Sequence, residues 1–76
     1  EYEVIEAEII ESSELINQEL KNSNLPDDIR IGSIIRGEEI ILPSSNYVFQ
    51  KKDIVILLSK RNQLPTVENM FRISSI

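Results

Sequence analysis

Cysteine, histidine and tryptophan are all missing from this 76-residue chain. Without cysteine there is neither a disulfide nor a thiolate nucleophile. Without histidine the commonest general base and the commonest metal ligand are gone as well. The two absences together exclude the Cys/His sets of structural zinc sites. The only glycines, Gly32 and Gly37, are too few and too isolated to cradle a phosphate, which removes GxGxxG and P-loop chemistry. No apolar run approaches the ~20 residues of a membrane-spanning helix. The chain opens at Glu1 with no charged-then-apolar leader. Basic residues are scarce, eight against thirteen acidic, for a net charge of −5. Only Lys51–Lys52 and Lys60–Arg61 are adjacent, whereas binding to nucleic acid or an anionic membrane needs clustered Lys and Arg. The expectation is a soluble, cytoplasmic piece of a longer protein, not an enzyme and not a nucleic-acid binder.

What the chain has in quantity is aliphatic side chain. Fourteen residues are isoleucine, 41% are hydrophobic, and only Tyr2, Tyr47, Phe49 and Phe71 are aromatic. A chain of this size buries only roughly 60% of the surface its unfolded form exposes. With no disulfide or zinc available, stability must come from a very apolar core or from association. Residues 1–76 are read as one domain.

Along the chain, residues 3–10 alternate, with Ile5, Ala7 and Ile9 opposite Glu6 and Glu8, the period of a strand. Ser12 and Ser13 offer helix N-caps, Glu14 suits a first turn, and Leu15, Ile16 and Leu20 follow as an apolar stripe, so a short helix is expected up to Asn22–Ser23–Asn24. Residues 29–36 and 39–42 read as a hairpin around Arg36–Gly37–Glu38, closed by Pro43. Tyr47, Val48 and Phe49 form a short extended piece, and residues 54–59 are the most apolar strand. A second helix is expected between Asn62 and Arg72, with Pro65 near its start and Val67, Met70 and Phe71 at helical spacing. The fold class is α+β: a small, mostly antiparallel sheet with two short helices in the order β-α-β-β-β-α.

Strand 54–58 is apolar on both sides, Ile54, Ile56 and Leu58 against Val55 and Leu57, and the hairpin carries Ile34–Ile35 and Ile40–Ile41. Two short helices cover one face of such a sheet and hardly both. A second copy or another domain is expected over the other face.

The remaining polar constellations are modest. Glu6 with Glu8 shares a strand face and could hold a cation weakly, while Asp27–Asp28 and Glu38–Glu39 sit at turns; solvated faces account for all three. Ser12 and Ser13 read as caps, not nucleophiles. Arg36 reads as a hairpin-end arginine pairing with Glu38 or Glu39. No catalytic residue and no metal site is assigned.

Residues 25–43, LPDDIRIGSIIRGEEIILP, carry a leucine-proline entry, a strand ending in an apolar-Arg pair, a glycine turn and an apolar run closed by proline. With Ser13–Glu14–Leu15–Ile16 upstream, and Tyr47–Val48–Phe49, Lys52–Asp53–Ile54 and Val67–Glu68–Asn69–Met70–Phe71 downstream, the ordered set resembles the TrkA-C (RCK-C) domain of bacterial potassium-uptake regulators. The resemblance covers essentially the whole chain. It implies a regulatory and dimerisation module, peripheral to the inner membrane, that controls potassium transport through a membrane transporter or channel subunit. It also implies a separate preceding Rossmann domain that binds NAD or ATP, with no cofactor in this chain itself. Some members bind a small nucleotide such as cyclic di-AMP in the dimer cleft. Carried over, that cleft would be lined by Ile35, Arg36, Ile40, Ile41 and Pro43, the arginine engaging phosphate while the apolar residues flank a base. The alternative reading is a small-molecule sensor of a different ion transporter or antiporter.

Overall fold

The computed structural model describes residues 2–73, Ile73 by its main chain. Five antiparallel strands form one sheet: β1 (Tyr2–Ile9), β2 (Ile29–Arg36), β3 (Glu39–Ile41), β4 (Ile54–Lys60) and β5 (Phe71–Ile73). Their spatial order is β3-β2-β4-β1-β5. The most apolar strand, β4, therefore lies at the centre, with β1 and β2 on either side. The single α-helix among the described residues, α1 (Leu64–Met70), follows a 3-10 turn at Arg61–Gln63 and has Pro65 in its first turn, where no amide is needed. The α+β class read from the alternation stands.

The β2–β3 hairpin turns at Gly37 and Glu38, between the paired Arg36 and Glu39. Gly37 has φ +61° and Glu38 a negative φ, the pattern of a II′ turn, whose twist matches that of the strands it joins. A bulge between Ile31 and Ser33 interrupts the β2–β4 ladder, so Ile29, Ile31 and Ile34 all reach the same side.

That side is the core. Ile5, Ala7 and Ile9 of β1, Val55 and Leu57 of β4, and Ile29 and Ile34 of β2 are buried beneath Leu15, Phe49, Val67 and Phe71. Each buried aliphatic or aromatic side chain contributes about 1.5–3 kcal/mol. Val67 anchors the helix, and Phe71, placed opposite Ile9, anchors β5.

Two elements differ from the sequence expectation. The segment after Ser13 is not an α-helix. Ser13 closes a turn instead of capping a helix, its buried Oγ accepting the Leu15 amide at 3.1 Å. The chain makes only turns because Asn17 adopts φ +68°. Its amide then donates to the Phe49 carbonyl (2.9 Å), the Phe49 amide donates to Gln18 (3.0 Å), and Glu19 bridges Val48. One 3-10 turn, Leu20–Asn22, is all the helix that remains. A helix this short is marginal alone, and cross-chain backbone bonds replace it while Leu15, Ile16 and Leu20 still pack on the core. Secondly, the helix expected up to Arg72 ends at Met70, and Phe71–Ile73 pairs with Ala7–Ile9 as β5.

The opposite face of the sheet has no layer over it among the described residues. Val4 and Leu58 stand opposite each other there at 60% and 38% exposure, Ile40 is 72% exposed, and Ile35, Ile54 and Ile56 are half-buried. Glu6 and Glu8 share this face, opposite Ile56 and Ile54.

Candidate functional site

The most extensive side-chain hydrogen-bond network among the described residues joins the β2–β3 hairpin to the turn before β4. Lys52, at φ +74°, turns the chain so that Asp53 points inward, where its side chain is only 1% exposed. Arg36, the last residue of β2, grips it with both arms of the guanidinium: Nε donates to Oδ1 at 3.0 Å and Nη2 to Oδ2 at 3.2 Å. The Tyr47 hydroxyl donates to Oδ2 at 2.6 Å and itself accepts from Arg36 Nη2, while the Gln50 amide adds a fourth bond to the carboxylate at 2.9 Å. Arg36 Nη2 also reaches the Val48 carbonyl at 3.3 Å, and its Cζ lies 5.2 Å from the centre of the Tyr47 ring.

This network sets the charges of its members. Burial alone would push the Asp53 carboxyl up, but the bonds from Arg36, Tyr47 and the Gln50 amide outweigh it and hold the group below its ordinary range. Burial and the neighbouring Asp53 carboxylate push the Tyr47 phenol well above its ordinary value. The hydrogen bond to Asp53 stabilises the Arg36 cation further.

The five residues proposed as a ligand cleft divide between surfaces. Ile35 and Ile40 are direct cross-strand partners on the uncovered face. Arg36 and Ile41 lie on the core side, Ile41 packed against the core and Arg36 engaged with Asp53. Pro43 stands apart, in a groove beside the Ile29–Ile31 stretch of β2. Arg36 pairs with Asp53 and Tyr47, not with the hairpin's own Glu38 or Glu39. No local spacing announces a partner seventeen positions away; the only sequence signal for Asp53 is its place between a Lys-Lys turn and an apolar strand.

The sequence profile of the TrkA-C domain matches residues 4–72. The chain belongs to the TrkA-C domain family. Over 72 residues, 95% of its length, this TrkA-C domain is 35% identical to the Trk system potassium uptake protein TrkA of Azorhizobium caulinodans, covering 16% of that protein. It is 28% identical over 64 residues to a TrkA homolog of Archaeoglobus fulgidus, covering 84% of this chain and 15% of the relative. The K(+)/H(+) antiporter NhaP2 of Shewanella baltica is 30% identical over 71 residues, covering 93% of this chain and 12% of the antiporter. The TrkA-C domain thus spans less than a fifth of the length of the curated relatives it matches. No helix among its described residues is long and apolar enough to cross a membrane.

Proposed function

We propose that this TrkA-C domain is the regulatory and dimerisation module of a Trk-type potassium-uptake regulator. It is non-catalytic, works in the cytoplasm, and meets the membrane transporter through the longer protein to which it belongs. The observation that carries this reading is the uncovered apolar sheet face with Val4, Ile35, Ile40, Ile54, Ile56 and Leu58 on it. A contiguous apolar face of this kind marks an association surface, and a second copy is its simplest cover. The test is sedimentation equilibrium of the chain and of a Val4→Glu, Ile40→Glu double variant, both at exposed positions. A dimer for the first and a folded monomer for the second is the expected result. A folded, strictly monomeric parent chain at millimolar concentration overturns the reading.

A second reading, a nucleotide sensor in the dimer, is favoured by one feature of Arg36. Its side chain is 36% exposed and its Nη1 makes no hydrogen bond among the described residues, which leaves a donor for a phosphate at the hairpin end of β2. Titration calorimetry with cyclic di-AMP, and with an Arg36→Lys variant, tests it: heat from the parent chain and at least tenfold weaker binding by the variant are expected. The match to NhaP2 makes an antiporter the alternative setting for such a sensor. NAD or ATP binding belongs to a preceding domain of the longer protein.

A further inference from the structure

Strand β2 is paired along its whole length on one side only. On the other, β3 covers Ile34–Arg36 and then leaves, so Ile29–Ile31 has no neighbouring strand among the described residues. Which backbone groups this exposes follows from the ladder. Lys60 donates to the Asp28 carbonyl, so the amides and carbonyls of Asp28 and Arg30 point toward β4 and those of Ile29 and Ile31 point away from it. The Ile29 amide is taken by the Pro26 carbonyl at 3.0 Å. The Ile29 carbonyl and both Ile31 groups have no backbone partner among the described residues.

This open edge lines a surface groove of about 580 Å³. Leu20, Leu25, Ile31 and Pro43 give it apolar walls. Its charged residues are Lys21 and Arg30, and none of its lining residues is acidic, although the chain as a whole carries −5. Lys21 is held only loosely by Glu19, at 3.9 Å, and Arg30 has no carboxylate partner among the described residues.

We propose that this groove is a strand-addition site for an extended, acidic segment of a partner polypeptide. The segment's main chain pairs with Ile29 and Ile31, alternate apolar side chains lie against Leu20, Leu25 and Pro43, and its carboxylates meet Lys21 and Arg30. Main-chain bonds supply affinity and the alternate pockets supply selection. Natural sheets blunt an unpaired edge with lysine, proline, a bulge or a cover; here the bulge after Ile31 ends the open stretch but does not close it. The site lies along a strand edge and shares with the uncovered face only Arg30, which stands opposite Leu58.

The probe is a fluorescein-labelled Glu-Val-Glu-Val-Glu-Val-Glu peptide, followed by anisotropy and by amide shifts in ¹⁵N spectra of the chain. Saturable binding that moves the Ile31 amide is expected. N-methylation of alternate residues of the probe, which removes its donors but keeps its charge, should weaken binding at least tenfold. Lys21→Glu with Arg30→Glu, both exposed positions, should do the same. Equal binding of the N-methylated probe overturns the proposal in favour of a diffuse electrostatic contact. So does an Ile31 amide protected from exchange in the chain alone, increasingly so with concentration, which would place a second copy on this edge.

Discussion

Arg36 and Asp53 meet across seventeen positions of sequence as a two-pronged ion pair, Nε to Oδ1 at 3.0 Å and Nη2 to Oδ2 at 3.2 Å. The carboxylate is buried and takes four hydrogen bonds, so the pair fixes the hairpin end of β2 against the turn that starts β4.

Removing the carboxylate leaves two donors, the Tyr47 hydroxyl and the Gln50 amide, and the Arg36 cation without their acceptor. Asp53→Asn is expected to cost about 2 kcal/mol, less than a fully buried pair because Arg36 is a third exposed. Tyr47→Phe should cost about 1 kcal/mol. Glu3→Gln, which breaks the exposed bond to Arg61, should change stability by less than about 0.5 kcal/mol. Urea denaturation of the three variants measures the order.

The same network makes stability depend on pH at both ends. Asp53 titrates below its ordinary value of 3.8 in the folded chain, so its contribution is complete above that pH. It is lost as pH falls through the lower folded value. Tyr47 titrates above its ordinary 10.0, so its contribution is complete below pH 10 and is lost as the medium becomes more alkaline. Melting curves from pH 2 to 11 should show the gap between the parent chain and Asp53→Asn narrow below pH 4. Tyr47→Phe should lose less than the parent chain above pH 10.

Asn17 distinguishes a turn from a helix. In a helix, Asn17→Ala would stabilise; at φ +68° it should destabilise by about 1 kcal/mol, while Asn17→Gly stays near neutral. Thermal melts of the two variants give the sign.

Gly37 carries the hairpin turn at φ +61°, and a side chain placed there meets no atom within 4 Å. Gly37→Ala should therefore cost about 1 kcal/mol from backbone strain alone. The folded spectrum should be retained, and a chemical melt checks both outcomes.

Much of the sheet was legible because its cause is local. Alternation in residues 3–10, the glycine of the Arg36–Glu39 turn and the apolar run 54–59 each specify a strand without help, and Pro65 fixes the start of α1 within a turn. The turn also made Ile35 and Ile40 readable as neighbours. What escaped depends on distant chain. Leu15, Ile16 and Leu20 fit a helical stripe, but backbone bonds to Ser45, Tyr47 and Phe49 decide the conformation of that segment. Phe71 fits a helix with Val67 and Met70 as well as it fits a strand, and only the free edge of β1 chooses. The carboxylate that holds Arg36 could not be inferred from spacing at all.

The strand order sets a timetable for folding. β4 is the partner of both β1 and β2, and the register joining Tyr2 to Lys60 closes nearly the whole chain. The β2–β3 hairpin and its ladder to β4 can form without β1, but β1 has no partner until β4 is in place, and joining the two closes the longest loop of the sheet. As the chain is synthesised, Ile5, Ala7 and Ile9 wait unpaired until residues 54–60 emerge. During that interval the glutamates alternating with them keep an apolar, strand-forming segment from finding the wrong partner.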